Sequence, residues 1–387
     1  MNSIVSSIIY VQISYFWILL FFFGSEVPNP LIYTMPSLFF SLILFSIVAR
    51  NRKFKKSSYL LLLFIIFSVF STAYNYEFAN ILRTFMFTVP FIVVNETKFS
   101  LSKNFLYSIF FITIGVGILS FHLGINQYGY LPGHSLQMGN LPWWRIGLFP
   151  NSTPTSTGFF GVLFFSVGCY YYLSHNGKTN KLNFSVIILS TYLTFLSGSR
   201  TAILILIGAF FIYYFKHKKV LLQHMMPYLI IAIPIIIFAS KGIFYLSGNE
   251  IAREYLLRGR AFDNEQAASS YSRFILWDNL LSIYKQSPVF GVGEFDIYDY
   301  YPSAEAFSEA KWLSLLASNG VSILLLLYYV LRKYYLAVKT NQYNQSSLLL
   351  MLIVAMFYYG SMYVPYNVIF LLNIYLFSKS IKNESET

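Results

Sequence analysis

The chain has 387 residues, of which 56% are apolar, 20% aromatic and only 11% charged, and it carries a net charge of +12. So little polar surface excludes a water-soluble globule of this length. In a soluble protein the positive charge would suggest nucleic acid, but its placement along this chain argues against that reading.

From the N-terminus, apolar segments fall near 4–23, 31–49, 58–74, 79–94, 104–122, 155–173, 184–197, 200–215, 226–240, 312–331, 347–361 and 364–378. That makes about twelve, where a full crossing takes ~20 residues. Segments near ~15 residues need extension by their flanks, a kink, or partly submerged ends. The first run lacks a basic n-region and a small-residue cleavage site, so it reads as a retained helix. Cys169, the single cysteine, lies in an apolar run and reads as a small buried hydrophobe. The expectation is an all-α polytopic membrane protein in three parts. Residues 1–240 form an N-terminal bundle of nine helices with an external loop at 123–153. Residues 241–311 form a large external loop between helices 9 and 10, and 312–387 hold helices 10 to 12.

Basic residues set the expected orientation. Those at Arg50–Lys56, Lys98 and Lys103, Lys178 and Lys181, Lys216–Lys219, Arg332–Lys339, and Lys379 and Lys382 amount to 17 of the 20 outside the long loop. All fall on one side if the helices alternate, which places both termini in the cytoplasm and 241–311 outside. The positive charge then contacts the cytoplasmic leaflet, and no nucleic-acid partner is expected. The 71 residues from Lys241 to Lys311 carry 10 acidic and 7 basic side chains between apolar segments. Chemistry or recognition is expected in such a polar stretch. No zinc spacing, P-loop or dinucleotide glycine motif occurs in a useful context, and the five histidines are scattered, so no metal or cofactor is expected.

The segment Arg273-Phe-Ile-Leu-Trp277, followed by Pro288-Val-Phe-Gly291-Val-Gly293, resembles the signature region of the O-antigen ligase and Wzy-type O-antigen polymerase superfamily. The run Leu313-Ser-Leu-Leu-Ala-Ser-Asn-Gly320 resembles the next part of that signature, and Ser197-Gly-Ser-Arg200-Thr-Ala an earlier one. The resemblance implies a GT-C-like membrane glycosyltransferase acting on undecaprenyl-diphosphate-linked oligosaccharide as donor and acceptor, with no nucleotide sugar. It also implies a chain-length regulator as a possible partner in the same membrane. Ligases of the superfamily typically place a catalytic histidine where this chain has Glu309, and 241–311 contains no histidine. That departure favours a polymerase over a ligase that transfers the finished chain to lipid A-core.

Individual residues then acquire two readings each. Arg200 stands between apolar runs 184–197 and 201–215, each spanning only ~21–23 Å at ~1.5 Å per residue. At an outer interface its guanidinium fork would match diphosphate oxygens, or it would merely snorkel. Arg273, four residues before Trp277, would share a helix face with that ring and reach the diphosphate, or else pair with Asp278. Arg145 follows Trp143-Trp144 and precedes Gly161 by sixteen positions, a spacing described for some family polymerases, though paired tryptophans are also interface anchors. Arg83 snorkels or points into a cavity, and Arg258 and Arg260 bind substrate or form a solvated basic patch. Glu309, with Glu305 a turn away, would orient or deprotonate the acceptor hydroxyl, or simply favour a helix N-terminus. Tyr298 and Tyr301, interleaved with Glu294, Asp296 and Asp299, suit a saccharide surface or a solvated loop. Pro288, Gly291 and Gly293 read as turn-makers. A flippase or polysaccharide transporter is the competing class, and it would show pseudo-symmetric halves that are not obvious here.

Overall fold

The computed structural model describes residues 2–23, 31–50, 54–75, 78–99, 101–122, 154–174, 181–197, 199–216, 277–293, 311–358 and 367–377. Among these, every regular element is helical. In chain order they are α1 (Asn2–Phe23), α2 (Leu31–Ala49), α3 (Lys56–Asn75), α4 (Phe78–Glu96), α5 (Lys103–His122), α6 (Pro154–Ser174), α7 (Lys181–Leu196) and α8 (Arg200–Lys216). The second part holds α9 (277–286), α10 (Lys311–Asn319), a 3-10 turn (Gly320–Ser322), α11 (Ile323–Lys339), α12 (Tyr343–Tyr358) and α13 (Val368–Phe377).

Apolar side chains cover both the inside and the outside of this assembly. Ile4, Val11 and Ile18 on α1, Met35, Phe39 and Leu42 on α2, and Leu324, Tyr328, Leu331 and Tyr335 on α11 all stand exposed. Helices coated with such residues suit hydrocarbon, where every backbone group must be bonded within the helix. The chain is a multi-pass membrane protein. Its core is rich in rings: Phe110 stacks on Phe164 at 4.8 Å, Phe87 on Phe370 at 5.0 Å, and Phe91 meets Tyr329 edge-on at 6.1 Å. Such pairs contribute ~0.5–1.5 kcal/mol each beyond area burial.

The expectation of about twelve membrane-spanning helices in a GT-C-like bundle is corrected here, because a full crossing takes ~20 residues. Among the described residues only four helices are long and apolar enough to cross a membrane: Asn2–Phe21, Leu31–Ala49, Ser156–Leu173 and Trp312–Lys339. Five further helices carry shorter apolar stretches of 10–17 residues among the described residues, or ~15–26 Å against a ~30 Å hydrocarbon core. The described residues indicate neither a GT-C-like arrangement nor the expected loop between a ninth and a tenth span. The apolar run at 226–240 and most of 241–311 lie outside the described residues.

Two local devices shape the helices. Pro36 has no N–H for the Ile32 carbonyl one turn earlier, and that oxygen accepts the Tyr15 hydroxyl at 3.0 Å instead, joining α2 to α1. On α6, a Cβ at Gly161 would stand 2.3 Å from Thr194 Oγ1, and one at Gly168 would stand 2.9 Å from Ile187 Cγ1. Glycine at both positions therefore sets how closely α6 and α7 approach.

Candidate functional site

The turn after α9 and the junction between α10 and α11 are joined through main chain. Gly291 N–H donates to Ser287 O at 2.7 Å within the turn. Across the junction, Val292 N–H donates to Ala317 O at 2.9 Å, Gly293 N–H to Ser318 O at 3.1 Å, and Val321 N–H to Pro288 O at 2.9 Å. Gly291, Gly293 and Gly320 adopt φ of +76°, +82° and +62°, a region that L side chains occupy at a cost. A Cβ at Gly291 would lie 2.3 Å from the Ser318 carbonyl, and one at Gly320 would lie 2.3 Å from Val289 O. The two glycine-bearing motifs singled out in the sequence thus form one clamp, and the glycines are what lets the strands of chain touch. α9 seats this clamp by burying Leu280 and Ile283, with Trp277 partly buried at its start and Asp278 exposed.

A buried polar network backs the clamp. Asn319, 1% exposed, accepts from Asn80 Nδ2 at 3.3 Å and from Thr84 Oγ1 at 3.2 Å, and its own Nδ2 donates to Ser318 Oγ at 2.9 Å. Ser71 Oγ donates to Ser318 O at 3.2 Å and accepts from Asn80 Nδ2 at 3.4 Å. Ser322 Oγ donates to Asn319 O at 2.7 Å, which helps hold the 3-10 turn. Buried polar groups are costly unless bonded, and these groups bond one another. Their chemistry is support and alignment.

A second polar cluster lies at the opposite end of α3, α4 and α11. Glu96 Oε1 accepts from Lys55 N–H at 2.8 Å and from the Ser58 hydroxyl. Lys333 Nζ donates to Asn95 Oδ1 at 2.8 Å, Lys55 Nζ donates to Asn95 O, and Asn95 Nδ2 reaches Ser57 Oγ at 2.7 Å.

Of the side chains expected at the site, Arg83 is exposed on α4, between Asn80 and Thr84 in the chain. Arg200 is the first residue of α8. Arg145, Arg258, Arg260, Arg273, Tyr298, Tyr301, Glu305 and Glu309 lie outside the described residues. Gly161, which the Arg145 spacing brings to notice, is a packing position against α7. The sequence reading passed over Ser71, Asn80, Thr84 and Asn319. Their signal was faint: single polar residues inside apolar runs, one of them in the motif ending at Gly320. Among the described residues, no group of three or more His, Cys, Asp or Glu comes close enough to hold a metal ion.

No curated protein matches the chain. Residues 185–315 match the family profile described as O-antigen ligase. That interval takes in α8, α9, the turn with Gly291 and Gly293, and the start of α10. That match supports membership in the O-antigen ligase/polymerase superfamily, and with it a general role in the handling of lipid-linked polysaccharide.

Proposed function

We propose that the protein polymerises undecaprenyl-diphosphate-linked oligosaccharide repeats, with the Asn319 end of α4 and α11 facing the exterior and both termini in the cytoplasm. The bond from the donor's anomeric carbon to its diphosphate oxygen breaks. A hydroxyl oxygen of another lipid-linked repeat attacks that carbon and gives its proton to a carboxylate, and undecaprenyl diphosphate leaves. Simple in-line displacement inverts the anomeric centre. Because diphosphate is already a good leaving group, the protein's work is to stabilise its charge and to align the acceptor.

In this reading Arg200 and Arg273 hold the diphosphate, Glu309 orients or deprotonates the acceptor hydroxyl, and Glu305 supports it. Arg83, Arg145, Arg258 and Arg260 supply further charge along the lipid-linked substrate, while Trp277, Tyr298 and Tyr301 offer rings to the sugars. The single observation that carries the reading is the family match over 185–315 combined with a glutamate at 309, where the related ligases place histidine.

The test is reconstitution of the full chain in liposomes with a defined undecaprenyl-diphosphate-linked oligosaccharide, with and without a chelator. A product ladder spaced by whole repeats is expected, and it should collapse in a folded Glu309→Gln variant. Product only when lipid A-core is added would make the protein a ligase. Movement of substrate across the bilayer without new glycosidic bonds would make it a transporter.

A further inference from the structure

We propose that Asn319 is a positioning residue for glycan transfer, holding α4 and the glycine clamp in a fixed register. The inference rests on the polymerase reading above. The Asn319 amide oxygen reaches toward α4: both hydrogen bonds that it accepts come from that helix, from Asn80 and Thr84. Arg83 lies between those donors in the chain, so the amide fixes the helical turn that presents this arginine.

The main chain on either side of the amide does the complementary work. Ser318 O receives Gly293 N–H and the Ser71 hydroxyl, and Gly320 presses against Val289. Residues 294–310, with Glu305 and Glu309, follow Gly293 in the sequence. Asn319 and its chain neighbours therefore tie the α4 turn that carries Arg83 to the clamp.

Packing alone would not call for an amide at this place. A leucine has similar volume and needs no partners, whereas a buried amide is costly unless bonded. What the amide adds is direction, since an oxygen shared by two donors on one helix fixes both separation and angle. Transfer depends on such alignment, and a displacement of ~1 Å costs on the order of 100-fold in rate.

The experiment uses the full chain in liposomes carrying Asn319→Leu, Asn319→Asp or Thr84→Val. In parallel, spin labels at Ala79 and Val289, both exposed, report the distance between α4 and the clamp in a Cys169→Ser background. Asn319→Leu should lower kcat by about tenfold or more with KM for the lipid-linked oligosaccharide little changed, and should broaden the distance distribution. Asn319→Asp, which keeps an acceptor oxygen for both donors, should restore most of the turnover and the narrow distribution. Thr84→Val, lacking one donor, should fall between them. Should Asn319→Leu fail to fold, Asn80→Ala and Thr84→Val carry the same test from the donor side. Parental turnover in Asn319→Leu would overturn the proposal, and so would lost turnover with an unbroadened distribution. A parental chain that makes no ladder would instead sink the polymerase reading, and the distance distributions alone would then decide whether Asn319 sets the register.

Discussion

Adding one methyl group tests the clamp at its narrowest point. At Gly320 it would meet Val289 O at 2.3 Å on a backbone with φ of +62°. The left-handed conformation costs ~1–2 kcal/mol for an L side chain, and overpacking adds ~1–3 kcal/mol. Gly320→Ala should therefore lower the melting temperature of the purified protein sharply, and an unchanged value would mean the clamp yields easily. Gly115→Ala is the control. A Cβ there has nothing within 4 Å, and alanine inside a helix gains ~0.5–1 kcal/mol over glycine, so this variant should melt no lower than the parent. The turn-forming roles of Pro288, Gly291 and Gly293 were legible in the sequence because their backbone preferences are local. Gly161 was not legible as a packing position, since its contact at Thr194 depends on how two helices meet. For the arginines the expectation is functional. Arg200→Ala and Arg273→Ala should each lose ~1.5–3 kcal/mol of interaction with diphosphate, and lysine should not rescue either, because the planar fork is gone. Parental polymerisation rates in both alanine variants, at equal protein levels, would remove these residues from the site.

Helices α3, α4 and α11 are fastened at two ends by different chemistry. Asn319 joins them at one end without charge, while Lys55, Asn95, Glu96 and Lys333 join them at the other with it. Asn95→Ala removes the acceptor of Lys333 and the donor to Ser57. A partly buried ammonium left without that bond should cost ~1–3 kcal/mol. Adding Lys333→Met should return part of the loss, since removing both partners is far milder than removing one. Thermal melts of the parent, both single variants and the double variant give the coupling, and additive losses would show that the pair does not interact. Neither end was legible beforehand. Asn80 and Asn319 are separated by 239 positions, so no local period links them. The apolar run from 312 reads as continuous, yet the helix tightens into a 3-10 turn at Gly320–Ser322 where Asn319 and Gly320 answer to distant partners.

At the scale of the whole molecule, composition announced a membrane protein, but the series of apolar segments promised more crossings than the four helices long enough among the described residues. Hydropathy marks where a chain is apolar. It does not say whether an apolar run of 16 or 17 residues, as in α7 and α8, reaches through ~30 Å of hydrocarbon or stops within it. Orientation is a separate matter, set by basic residues, and it is directly testable. In a Cys169→Ser background, an impermeant thiol reagent applied to intact cells should label Ser303→Cys and spare Thr340→Cys. Labelling at 340 but not at 303 would invert the proposed topology.

The clamp is written almost wholly in main-chain atoms, which has an evolutionary consequence. Amide-to-carbonyl bonds at Val292, Gly293 and Val321 ask nothing of side-chain identity beyond the glycines. The ends of the intervening stretch are therefore pinned together whatever that stretch contains. For a loop already closed at its ends, doubling the length adds only ~0.6 kcal/mol of closure entropy. The stretch from 294 to 304 can therefore change in length and composition at little cost to the scaffold. A chimera carrying a longer foreign segment between Gly293 and Ala304, with Glu305 and Glu309 kept, should melt close to the parent, and on the polymerase reading its choice of glycan should change.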